Sequence, residues 1–141
     1  MGKKIIIGLI LVLAFSIYGY FSAVPGVEDN EEDQPKIEIN PQTFDFGEVE
    51  YGQILEYTFK IKNLSNQILE ISKVTTSCGC TTAQISQEKI NPQEEIELKV
   101  IYDTGAMGGT HAKGDQERII YIKSNDPINP QTEVTISAYV K

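Results

Sequence analysis

The chain has 141 residues, enough for one domain of common size, and a formal net charge of −8. The residues after Val24 carry 10 basic and 20 acidic side chains, a net charge of −10. Because nucleic-acid binding depends on Lys and Arg side chains that neutralise phosphates, this excess of acid excludes DNA and RNA as partners.

The first element is an apolar leader. Two lysines precede 20 residues without a charge, "IIIGLILVLAFSIYGYFSAV" at 5–24. A helix of this length spans about 30 Å, the thickness of a bilayer core. Cleaved signal peptides usually have a shorter apolar stretch and small residues at the cut, where this chain has Tyr20 and Phe21. We therefore predict that residues 1–24 are a signal-anchor, the alternative being a signal peptide whose cleavage secretes the domain.

The leader also predicts a location. Lysines that flank an apolar span remain on the cytoplasmic side, so the acidic remainder is expected outside the cytoplasmic membrane, in the periplasm or at the cell surface. Residues 25–35 hold five acids in 11 residues and little apolar surface. Such a stretch cannot bury enough area to offset its ordering entropy, and we predict a flexible acidic tether.

From Lys36 onward, apolar and polar residues alternate, as in strands with one buried and one wet face. Asn-Pro and Tyr-Gly turn signals separate these runs, and no stretch keeps helical spacing for three turns. Residues 36–141 are therefore predicted to form an all-β, antiparallel, immunoglobulin-like β-sandwich of seven to eight strands, preceded by one N-terminal transmembrane helix. The predicted inward positions are Leu55, Tyr57, Phe59 and Ile61, then Ile96, Leu98, Val100 and Tyr102, then Val134, Ile136, Ala138 and Val140, and "RIIYI" at 118–122 suits a central strand.

Five motifs carry a family resemblance. They are "FDFGEVEYGQ" at 44–53, "FKIKN" at 59–63, "SCGCT" at 77–81, "INPQEEIELKVIYDT" at 90–104 and "SNDPINPQTEVTISAYV" at 124–140. With these motifs the chain resembles an uncharacterised family of exported bacterial immunoglobulin-like domains, a domain of unknown function related to Hydin-like and major-sperm-protein-like sandwiches. The resemblance covers about residues 37–140. It implies the fold and the exported location, and it implies no reaction.

Cys78 and Cys80 are the only cysteines, and they stand one residue apart in "SCGCTT". As residues i and i+2 of a strand they would pack on one face as small apolar groups, although free thiols tend not to persist after export. A disulfide is the second interpretation, aided by the backbone freedom of Gly79. Its ring of about three residues would restrict the unfolded chain by only roughly 1.6 kcal/mol, so the bond should be easily reduced. A redox role would need a nearby cation, and Lys73 is the nearest in sequence.

A metal site is the third interpretation. Two thiolates suit soft ions such as Cu(I) or Zn(II). A closed zinc site needs four Cys or His ligands and this chain has three, while blue copper needs two histidines and the chain has one. What survives is an incomplete clip that His111, Met107 or a second chain would complete. Both residues lie in the glycine-rich segment Thr104–Gln116, predicted to be a flexible tip that recognises a partner or is disordered.

Known catalytic patterns are poorly represented. A hydrolase triad would have to use the single histidine, and no Gly-x-Ser-x-Gly elbow is present. We predict a non-catalytic binding or structural module without a cofactor, which meets an unknown protein partner outside the cytoplasm through exposed sheet edges. The alternative is a copper- or zinc-handling or thiol-redox protein that uses the Cys-Gly-Cys motif.

Overall fold

A computed structural model describes residues 34–108 and 112–141 of the chain, and this part is all β. The predicted all-β sandwich is confirmed, with nine strands in the described part instead of seven or eight. The additional strands are short or irregular ones that alternation does not reveal. The strands are β1 (Ile37–Ile39), β2 (Thr43–Val49), β3 (Ile54–Asn63), β4 (Leu69–Thr76), β5 (Thr81–Ile85), β6 (Lys89–Ile90), β7 (Glu95–Asp103), β8 (Gly114–Ser124) and β9 (Gln131–Val140).

Two sheets form the layers of the sandwich. One has four strands in the order β1-β3-β7-β5, and the other has five in the order β2-β9-β8-β4-β6. Within the described residues the pairs are antiparallel except β2 with β9, which is parallel and corrects the prediction of a purely antiparallel fold. The parallel pair arises because the chain passes from β1 in one sheet to β2 in the other without reversing its direction.

The two ends of the sandwich are distinct. At the proximal end, β1 starts beside the end of β3, and the carbonyl of Lys36 accepts a hydrogen bond from the N–H of Leu64 at 2.9 Å. The distal end holds the β2–β3 turn, the connection between β7 and β8, and the end of β9. The described chain therefore begins at one end, and its longest connection lies at the other.

The core follows the predicted alternation. The inward positions of β7 and β9 are buried, as are Phe59 and Ile61 of β3. Leu55 and Tyr57 are partly buried and pack against this core. Strand β8 is the third of the five strands in its sheet, as predicted for the run at 118–122, with Ile122 fully buried.

A buried carboxylate ties the proximal end together. Asp126 is 1% exposed; its Oδ2 accepts the N–H of Ile37 at 3.0 Å, and its Oδ1 accepts those of Ile128 at 2.8 Å and Asn129 at 2.9 Å. Burial by itself raises the pKa of Asp126, but these donors outweigh it and hold the pKa below its ordinary value. The Ser-Asn-Asp-Pro motif thus has a structural role.

The predicted anchor at residues 1–24 and nearly all of the predicted tether at 25–35 lie outside the described residues. Within residues 34–108 and 112–141, no helix has the length and apolar character to cross a membrane.

Candidate functional site at the distal end

The two cysteines lie in the turn that carries the chain from β4 in one sheet to β5 in the other. Thr76 Oγ1 donates to the carbonyl of Cys78 at 2.9 Å or to that of Thr81 at 3.0 Å. The N–H of Ser77 donates to the carbonyl of Ile119 at 2.9 Å, and its Oγ accepts the N–H of Ile119 at 3.0 Å. The turn is therefore fixed to strand β8 and closed on itself.

The cysteine sulfur atoms are in direct contact, the arrangement of an oxidised pair, with their Cα atoms 5.3 Å apart. Cys80 is buried at 5% exposure, while Cys78 is half-buried. The prediction that the backbone freedom of Gly79 helps to close the disulfide is wrong. The φ of Gly79 lies outside the left-handed region, and a Cβ at this position would meet open space. The turn therefore does not depend on the conformational freedom of glycine.

A cation that the sequence analysis missed lies against Cys80. Nε of Arg118 is 3.1 Å from the Sγ of Cys80, and its Nη2 donates to Oε1 of Gln116 at 2.6 Å. The guanidinium carbon lies 5.1 Å from the centre of the Tyr102 ring. Arg118 is 38 positions from Cys80, so spacing could not reveal it, and Lys73, the nearest cation in sequence, is exposed. The available signal was an arginine at an inward-facing position of β8.

The connection between β7 and β8 is shorter than predicted. Strand β8 begins at Gly114, so the last three residues of Thr104–Gln116 belong to a strand. Thr104 is buried, with its Oγ1 donating to the carbonyl of Gln53 at 2.9 Å, and Ala112 is buried as well. The described ends of this segment are therefore anchored to the sandwich, because buried residues and a hydrogen bond hold them.

The predicted metal ligands are not brought together within the residues that the structure describes. Met107 is exposed, and His111 lies outside the described residues. In the described ranges, no cluster of three His, Cys, Asp or Glu side chains is placed to hold an ion. The metal clip stays a prediction.

Four strands border the two sheets, and they differ as potential docking edges. Strands β1 and β6 have only three and two residues. Strand β2 carries acidic side chains, and its register shifts between Asp45 and Glu48 at a bulge. Strand β5 pairs with β7 in continuous register over five residues and has no charged side chain. Since natural edges are usually protected by charge, bulges or shortness, β5 is the least protected edge in the described part of the chain.

A groove lies beside β5. Strand β6 pairs only with Leu69 and Glu70 of β4, so the later part of β4 faces the edge of β5. The open space between them has a volume of about 340 Å³. Its apolar lining consists of Ile71, Val74, Ala83 and Ile85.

Comparisons with known proteins agree with this architecture. The family described as "Protein of unknown function (DUF1573)" matches residues 37–140. None of the curated proteins matches the sequence significantly.

Three solved structures show the fold. A protein of unknown function from Porphyromonas gingivalis W83 superimposes with a TM-score of 0.68 at 22% identity, over 84% of this chain and 50% of that chain. The PapD-like domain 7 of human CEP192 gives 0.58 at 10% identity, over 84% and 92%. The YadV chaperone gives 0.55 at 13% identity, over 74% and 52%. The chain thus spans half the length of the Porphyromonas protein. The immunoglobulin-like or PapD-like sandwich is confirmed, and the relation to Hydin-like and major-sperm-protein-like domains stays a prediction.

Proposed function

We propose that this chain, which belongs to the DUF1573 family of proteins of unknown function, is a membrane-tethered binding module outside the cytoplasm. It binds an extended segment of a partner protein along β5. Residues 1–24 anchor it, and residues 25–35 connect the anchor to the sandwich. Binding requires no cofactor and no catalytic chemistry. The alternative location is the secreted state after signal cleavage.

The free edge of β5 carries the proposal. The N–H of Asp103 donates to the carbonyl of Cys80 at 2.9 Å, and the N–H of Ser86 donates to that of Glu97 at 3.0 Å. In an antiparallel pair, every second residue directs its N–H and C=O groups toward the partner strand. In β5 these are the even-numbered residues, which face β7. The N–H and C=O groups of Ala83 and Ile85 therefore point away from β7, available to an added strand.

The groove beside β5 defines the chemistry of the partner segment. When an extended peptide is added to a sheet edge, backbone hydrogen bonds provide the affinity, and pockets for alternate side chains provide the specificity. Here the apolar side chains of Val74, Ala83 and Ile85 line the groove, together with Lys73 and Glu88. The segment that fits is extended, with apolar side chains at every second position.

Capture from membranes tests this function. The full chain is expressed in its own cells, crosslinked and purified, and the attached proteins are identified. Ala83→Pro removes one outward N–H without removing a bond to β7, and prolines are tolerated at such edge positions. We expect it to reduce the yield of a specific partner by about tenfold, the equivalent of one or two backbone hydrogen bonds.

The matched control is Thr82→Ala, which truncates an exposed side chain on the same strand outside the groove and leaves the outward N–H groups in place. It should capture as much partner as the wild type. Equal capture by Ala83→Pro, with its thermal unfolding unchanged, would exclude the edge of β5 as the binding surface.

The copper or zinc alternative has a separate test. Metal content is measured in the reduced chain and in Cys78→Ser after exposure to either ion. Stoichiometric metal that is lost in the variant would favour the metal-handling function over the binding module.

A further inference from the structure

We propose that Cys78 and Cys80 form a thiol–disulfide exchange site with a fixed direction. An incoming thiolate attacks the sulfur of Cys78, and Cys80 leaves as a thiolate beside Arg118. This site goes beyond the binding proposed for β5 and does not depend on it.

Access favours attack at Cys78. Cys80 is 5% exposed and has Arg118 against its sulfur, whereas Cys78 is half-buried at the surface of the turn. Exchange requires the nucleophile to reach one sulfur of the pair, and the more accessible sulfur reacts first. The surroundings of the turn therefore expose one end of the S–S bond and cover the other.

The charge of Arg118 favours Cys80 as the leaving group. A sulfur that departs as a thiolate is stabilised by a cation within hydrogen-bond distance, and Nε of Arg118 is 3.1 Å away. The guanidinium is also bonded to Gln116 and near the hydroxyl of Tyr102, both uncharged partners. Arg118 takes part in none of the ion pairs of the described residues. Its charge is thus available to Cys80.

Other donors do not reverse this direction. The N–H of Cys80 is 3.2 Å from the Sγ of Cys78, but a neutral N–H stabilises a thiolate less than a guanidinium does. Thr81 Oγ1 lies 3.6 Å from the sulfur of Cys78 and 3.7 Å from that of Cys80, so it does not distinguish them. Arg118 remains the asymmetric element of the site.

The substrate class is a protein or peptide dithiol. Its first thiolate forms a bond to Sγ of Cys78 as the Cys78–Cys80 bond breaks, and the electron pair of that bond passes to Cys80. Its second thiolate then attacks the substrate sulfur in the mixed disulfide, and Cys78 leaves and takes up a proton. Cys80 takes up the second proton. The substrate thus loses two electrons and two protons and becomes a disulfide, and this chain becomes the dithiol. The small ring supports the reaction because closing about three residues stabilises the bond little.

Reaction with glutathione tests the direction. The oxidised full chain is mixed with reduced glutathione, quenched with acid, and mapped by mass spectrometry. We expect glutathione on Cys78 and not on Cys80. Arg118→Met should slow the reaction about tenfold, since a hydrogen bond to a charged group has that effect. Arg118→Lys should react at nearly the wild-type rate, because it keeps a positive charge near Cys80. If the arginine had only a structural role, a lysine would not be expected to replace it.

Lys123→Met is the matched control, because it removes an exposed cation from the same strand. Lys123 is five positions from Arg118 along β8, a distance of about 17 Å. Salt largely screens the interaction of exposed charges at this distance, so Lys123→Met should react at the wild-type rate. Ala83→Pro should also react normally, which separates this site from the binding edge.

Three results would overturn the proposal. They are glutathione on Cys80 or on both cysteines equally, a wild-type rate in folded Arg118→Met, and two free thiols in the full chain isolated without reductant. If Arg118→Met does not fold, the position of glutathione on the wild-type chain and the rate of Arg118→Lys decide.

Discussion

Asp126 shows how one residue connects a motif to stability. Its carboxylate accepts N–H groups from Ile37 and from the β8–β9 turn, and it is buried. Burial favours the neutral acid, yet the donors prevail, so the pKa of Asp126 is lowered in the folded state. A carboxyl with a lowered folded pKa stabilises the protein above its unfolded pKa and loses this contribution as the pH falls through the folded pKa.

We expect Asp126→Asn to lower the free energy of unfolding at pH 7 by about 2 kcal/mol, because hydrogen bonds to a charged acceptor are replaced by weaker ones. The difference from the wild type should narrow as the pH falls below about 4, the unfolded pKa of Asp. Urea unfolding at several pH values measures both. Glu133→Gln removes an exposed acid and serves as the control. A difference that is constant with pH would contradict the assignment.

The cysteines illustrate what sequence alone can establish about a site. Their spacing predicts a small ring that adds little stability, and this follows from loop length. The contact of Arg118 with Cys80 depends on how β8 lies relative to the β4–β5 turn, which is a tertiary property. An inward arginine followed by Ile120 and Ile122 at the next inward positions of β8 was the only local sign of it.

Strand β2 shows most clearly how the two longer edge strands, β2 and β5, differ. Its register with β9 shifts between Asp45 and Glu48, and Gly47 at this bulge has a φ of 70°. A bulge with a glycine in the left-handed region twists an edge strand and disrupts its pairing surface. Strand β5 has no such interruption, and this is why we assign binding to β5.

We expect Gly47→Ala to lower the free energy of unfolding by about 1 kcal/mol, because a side chain with positive φ is strained. The matched control is Gly79→Ala: a Cβ at either position meets open space, but only Gly47 has a positive φ. The control should change stability by less than about 0.5 kcal/mol. Chemical denaturation measures both variants, and equal effects would mean that the backbone conformation at Gly47 is not what the residue provides.

Strands were predictable where alternation is regular. The run at 54–63 is β3 as predicted, because its apolar residues face the core and its charged residues face water. Strands β2, β5 and β6 were not resolved individually from the sequence. A bulge breaks the alternation of β2, β5 has few apolar residues, and β6 has only two residues.

At the scale of the whole molecule, the two proposed sites lie on the same side of the sandwich. The β4–β5 turn with the cysteines leads directly into the strand whose edge is free. The described chain enters at the proximal end, opposite the connection between β7 and β8. In the proposed arrangement the anchor therefore joins the domain at its proximal end, and the exchange site faces away from the membrane.

This arrangement gives the acidic composition a role. The domain at 36–141 has 15 acidic and 10 basic side chains, and the tether adds five acids, so this part of the chain is repelled by anionic lipid headgroups. Repulsion and the tether together would keep the edge of β5 exposed to proteins instead of lipid. The proposed partner then reaches β5 from the side, without competition from the membrane surface.

Amide hydrogen exchange at single-residue resolution tests the central proposal most directly. The full chain is compared in its own membranes, where the partner is present, and after purification in detergent. We predict slower exchange in membranes at Ala83 and Ile85, whose N–H groups face outward, and unchanged exchange at Thr82 and Gln84, which already bond to β7. Equal rates at Ala83 and Ile85 in both states, or protection confined to other edges, would contradict binding along β5.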